Sequence, residues 1–171
     1  MPATRTRPPK VADERTQLLG WYDLQRGICR LKAEGLTDDQ AHRALLPTSP
    51  LMTVAGIVSH LAWAEDLWFR EVLLGEPGLA RGFEPGAPDD AEFRVEGVPL
   101  ATLLEEYDAA CARSDAAIAG RSLDDTGSTV LHAVGEASLR WMLHHMLEET
   151  ARHAGHLDLL REMLDGEVGY Y

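Results

Sequence analysis

Residues 139–166, LRWMLHHMLEETARHAGHLDLLREMLDG, hold the feature on which the architecture of this chain turns. Met142, Met146, Leu160 and Leu164 recur on one side of a helical projection, the stripe of a helix that buries one face. The same stripe carries ionisable groups. At about 100° per residue, Glu149 and His153 lie about 40° apart and one turn from each other, and His145 and His156 share an arc of about 80° with them. Burying a carboxylate or an imidazole is costly unless something pairs with it or binds it. His144 projects to the opposite side with Glu148 and Arg152, a solvent-facing set.

Working outward, the chain offers three further long helices. Leu18, Trp21, Leu24, Ile28 and Leu31 mark a first helix that begins near Asp13 and is closed by Gly35. Thr37 and Gln40 have capping-box spacing, which predicts a short helix over TDDQAHRALL before Pro47. Val54, Ile57, Leu61, Ala64, Trp68 and Val72 predict a second long helix ended by Gly75 and Pro77. A Gly-, Pro- and acid-rich segment over 75–98 reads as an ordered loop or lid, anchored by Leu79, Phe83, Phe93 and Val95. Pro99 suits a first helical position, and Leu100, Leu103, Leu104, Tyr107, Cys111 and Ile118 form the stripe of a third helix. After a connection over 120–137, the fourth helix is predicted from about Ala137 to Leu164, with Gly166 placed to stop it. Four long helices without a strand pattern predict an all-α fold, a four-helix bundle, the kind of scaffold that holds metals between facing helices.

The chain has 171 residues, 45% hydrophobic and 26% charged, which fits a single domain over 13–171 behind a flexible tail at 1–12. A formal net charge of -12 with scattered Lys and Arg argues against nucleic acid and against an anionic membrane as partners. The basic N-terminal stretch has no apolar run behind it, so a cytoplasmic location is expected. Cys29 and Cys111 sit among apolar helical neighbours, outside any metal or redox pair, and read as packing residues. Glu65 and Asp66 read as the solvated face of their helix, and Trp63 and Trp68 as core or dimer contacts.

The second helix supplies one histidine, His60, set among Ile57, Ala64 and Leu67. If the second and fourth helices are neighbours, His60, Glu149 and His153 converge on one divalent ion. Two imidazoles and a carboxylate suit zinc best, with nickel, iron or manganese as alternatives, and three ligands leave a position open for substrate. The alternative is a hydrogen-bonded core histidine at 60 beside an ordinary i,i+4 pair at 149 and 153.

The segments TVAGIVSHLAWAEDLWFREVLLGEP (53–77) and 139–166 resemble the two signature segments of the DinB-like superfamily, most closely its mycothiol-dependent transferase branch. The likeness extends more loosely over the first helix and SLDD at 122–125. The resemblance implies a four-helix bundle in which His60, Glu149 and His153 hold a divalent metal. The glutamate–histidine pair is similar to that of the mycothiol-dependent maleylpyruvate isomerases, whereas many DinB-like proteins have histidine where Glu149 stands and several have glutamine near His156. His145 and His156 are the candidates for a catalytic role, orienting the ligands or touching substrate. Arg140 and Trp141 fall in the recognisable segment, but the helical projection turns Arg140 away from the ion.

The expected activity is a metal-dependent transfer of mycothiol, or a similar small thiol, to an electrophilic small molecule. Met142, Met146 and Leu67 would form apolar walls and the 75–98 loop a lid. Two alternatives remain: a metal-dependent hydrolase, and a non-catalytic metal-binding or stress-response module. A homodimer is compatible with either reading.

Overall fold

The computed structural model describes residues 6–129 and 136–169. Helix α1 spans Glu14–Ala33 and starts where the Asp13 side chain accepts from the Thr16 amide. The single turn α2, Asp38–Ala41, carries the expected capping box between Thr37 and Gln40 but stops five residues before Leu46. Beyond it the His42 ring is tied to the Val98 carbonyl, with Nε2 2.8 Å away. Helix α3, Val54–Asp66, begins at the Thr53 cap and continues as a π-helical segment, Leu67–Leu74, which ends at Gly75 in the left-handed region. Helix α4 spans Leu100–Ile118, with Pro99 one residue ahead of the first helical position. Helix α5 spans Leu139–Asp165 between the Ser138 cap and Gly166, within two residues of the expected bounds. Residues 130–135 of the expected 120–137 connection lie outside the described residues, as do 1–5 of the expected tail. Within the tail's described part, Pro8 packs on Gly20 of α1 so closely that an added Cβ there would lie 2.6 Å from it.

The described residues form an all-α bundle without a strand. Cross-links fix the directions of the helices. Arg140 pairs with Glu14, and Lys32 with Asp158, so α1 and α5 run parallel. Val54 and Leu100 share one cluster, and Asp66 pairs with Arg113, so α3 and α4 also run parallel. Arg26 on α1 meets Glu65 on α3, while Ala33 clusters with Val54, so the two pairs are antiparallel. Connecting parallel neighbours requires the chain to return along the bundle, and α4 alone is about 28 Å long. The 75–98 segment makes that crossover, which carries it past the middle of α3.

Two sequence expectations are corrected. Glu65 and Asp66 are not a solvated face: they are 1% and 0% exposed. Glu65 accepts from Arg26 Nε at 2.7 Å, from Arg26 NH2 at 2.6 Å and from the Tyr22 hydroxyl at 2.5 Å. Asp66 accepts from Arg113 and from the backbone amides of Leu79 and Ala80, both at 2.8 Å, and so fastens the crossover to α3. Trp21, expected in the buried stripe of α1, is exposed, and Tyr22 fills the core in its place. Cys29 and Cys111 do pack inside, where burial pushes both thiols up, and neither is poised as a nucleophile. No helix among the described residues is long and apolar enough to cross a membrane.

Candidate metal centre

His60 lies mid-way along α3, and Glu149 and His153 stand one turn apart on α5. The antiparallel packing of these two helices sets the three side chains opposite one another. His60 Nε2 is 3.0 Å from Glu149 Oε1, and His153 Nε2 is 3.2 Å from the same oxygen. One potential ligand atom from each of the three lies within 4.8 Å of the other two. A tetrahedral ion with bonds of about 2.0–2.1 Å holds its donors about 3.3–3.4 Å apart, so the donors need only small movements to accept one. Their chemistry also fits: two imidazole nitrogens and one carboxylate oxygen form a donor set for a borderline-soft divalent ion.

Electrostatics favour the donor form of Glu149. Hydrogen bonds from His153 and His60 hold its carboxyl well below the usual carboxylate range, outweighing the opposing effect of burial. Arg152 NH1, 3.2 Å from Oε2, adds a positive neighbour on the outer side. Each imidazole turns its Nε2 to Glu149 and its Nδ1 outward. His60 Nδ1 is 3.4 Å from Glu92 Oε1, and His153 Nδ1 is 3.4 Å from His156 Nδ1. Burial, followed by the nearby His153 and Arg152, lowers the pKa of His156, which favours its neutral ring. Aromatic rings complete the surroundings: Phe93 stacks on His60 with centroids 4.4 Å apart, and Trp63 lies at 5.8 Å with Phe83 behind it.

The structure thus brings together His60, Glu149 and His153, with His156 beside them. It does not bring His145, whose ring packs against Trp68 at 4.8 Å and Trp141 at 5.2 Å. Arg140 pairs with Glu14 and Asp124, away from the three donors, as the projection requires. Met142 and Met146 are buried in the cluster around Trp68 and Phe69, with Leu67 against it, and the rings that touch His60 are those of Trp63, Phe93 and His153. Trp68 is a core residue, as expected, while Trp63 belongs to the surroundings of His60. Sequence reasoning missed Glu92. Phe93 stood out only as a loop anchor, and nothing in the loop's pattern connects either residue to position 60.

No curated protein matches the chain. The family model described as mycothiol-S-transferase matches residues 17–166, and the chain belongs to that family, within the DinB-like superfamily, which makes it a transferase of mycothiol-related chemistry.

Proposed function

We propose that this protein transfers mycothiol, or a closely similar small thiol, to an electrophilic small molecule at a divalent ion held by His60, Glu149 and His153, with zinc the best-fitting metal. The observation that carries this reading is the convergence of the three donor groups from α3 and α5 within 4.8 Å, with outer partners on both imidazoles. When bound, the ion supplies positive charge that favours thiolate over thiol near neutral pH. Glu149, anionic and held by two histidines, helps to fix the ion's place between the helices. His156 orients His153 by accepting from its Nδ1–H, and it acts as a positioning residue. Phe93, Trp63 and Phe83 shield one side of His60 from water. A cavity of about 170 Å³ that includes Leu51, Thr53, Val95 and Glu96 also borders Phe93, but none of the three donors lines it. His145 has a packing role between two tryptophans.

Metal-stripped and zinc-reloaded protein, assayed for mycothiol consumption against a panel of electrophiles, tests the proposal. The expected result is turnover that needs both zinc and thiol and is lost in His60→Ala. Turnover of an ester or amide without thiol would instead identify a hydrolase, and equal thiol transfer by stripped protein would refute the metal's role.

A further inference from the structure

The crossover segment reaches His60 with two consecutive side chains of one 3₁₀ turn, Ala91–Phe93. Phe93 stacks on the imidazole at an interplanar angle of 14°, and Glu92 places Oε1 3.4 Å from Nδ1. His60 and Glu92 side chains are only 12% and 13% exposed, so water competes weakly for this contact. The turn is seated by close backbone approaches. A Cβ on Gly56 of α3 would come within 3.2 Å of the Phe93 carbonyl oxygen. A Cβ on Gly82, whose φ is +98°, would come within 3.0 Å of Glu92 Cβ and 3.2 Å of its amide nitrogen. Asp66 fastens the start of the same segment through the Leu79 and Ala80 amides.

We infer that Glu92 is a positioning residue for the metal centre: its carboxylate accepts from His60 Nδ1–H, fixing the ring orientation and the tautomer that leave Nε2 free to bind the ion. The inference rests on the proposed metal site. A carboxylate behind a ligating imidazole raises the basicity of the ring and lowers the cost of orienting it, and loss of such a partner weakens metal binding about 10–100-fold. Phe93 sets the ring plane, and Glu92 sets the rotation within it.

The test is zinc competition against a chromophoric chelator with the full metal-free chain and its variants. Glu92→Ala is expected to weaken zinc binding about tenfold or more. Glu92→Gln, which keeps an acceptor oxygen, loses less. In zinc-loaded protein labelled with nitrogen-15, the His60 Nδ1 proton is expected downfield and protected in the parent, and exposed to solvent exchange in Glu92→Ala. Thermal melts of the metal-free forms separate a folding defect from a binding defect. Glu92→Ala that folds like the parent, binds zinc within about twofold of it and keeps the Nδ1 proton protected overturns the inference, since an effective outer partner gives at least tenfold. A parent that binds no zinc, or binds equally after His60→Ala, instead removes the underlying metal site. A parent whose zinc depends on His60 but not on Glu92 removes this inference alone.

Discussion

Replacing Glu65 with leucine strands a charge in the middle of the bundle. Arg26 is 5% exposed and gives Nε and NH2 to Glu65, while NH1 goes to Asp23 and Asp115, which are 50% and 61% exposed. Breaking one side of a buried ion pair costs about 3–5 kcal/mol, because the remaining charge keeps its desolvation penalty without its partner. The two half-exposed aspartates stay in place, so the lower end, about 3 kcal/mol, is expected. For a chain of this length about 2–4 °C accompanies each kcal/mol, which gives a fall in Tm of about 6–12 °C by circular dichroism. The double variant Arg26→Met, Glu65→Leu removes the charge as well and is expected to recover most of the loss. A single variant that melts within about 2 °C of the parent, or a double variant no more stable than the single, would refute the stranded-charge argument.

Gly56→Ala is expected to destabilise by about 1–3 kcal/mol in urea unfolding, since its Cβ would meet the Leu51 carbonyl oxygen at 2.5 Å. Gly155→Ala, with nothing within 4 Å in the interior of α5, is expected to stabilise by about 0.5–1 kcal/mol in the same assay. His145→Ala should cost about 1 kcal/mol through lost ring contacts while leaving zinc content unchanged, whereas His153→Ala should abolish it, as elemental analysis would show. In metal-free protein the depressed carboxyl of Glu149 contributes stability that is fully present above the ordinary carboxylate value of about 4.3 and is lost as pH falls below it. The gap in urea midpoint between parent and Glu149→Gln should therefore stay level down to about pH 5 and narrow from there to about pH 3; a constant gap would refute this assignment.

Helix existence and most helix ends were legible because they follow from local chemistry. Asp13, Gly75 and Gly166 begin or stop the helices at the places expected of them, while the caps Thr53 and Ser138 emerge only in the structure. The three candidate ligands were legible for a related reason: a four-residue spacing places Glu149 and His153 together on any α-helix, and the family resemblance supplied the partner helix. What was not legible depended on partners distant in sequence. Glu65 and Asp66 look like surface acids until Arg26 and Arg113 are seen opposite them, and the one clue was an arginine at 26 on the buried side of α1, between Tyr22 and Cys29. Trp21 and Tyr22 adjoin, so a small error in helical phase exchanged an exposed ring for a buried one. Glu92 lies in a segment without periodicity, and its place beside His60 follows from the crossover between parallel helices, a property of topology. The π-helical end of α3 was likewise invisible, since its apolar spacing passes for that of an α-helix.

The most direct test is the anomalous scattering of a zinc-loaded crystal measured at the zinc edge. The account predicts one strong peak bonded to His60 Nε2, a Glu149 carboxylate oxygen and His153 Nε2 at about 2.0–2.2 Å. Ordered side chains at all three positions with no peak among them, or zinc bound only elsewhere, would contradict it.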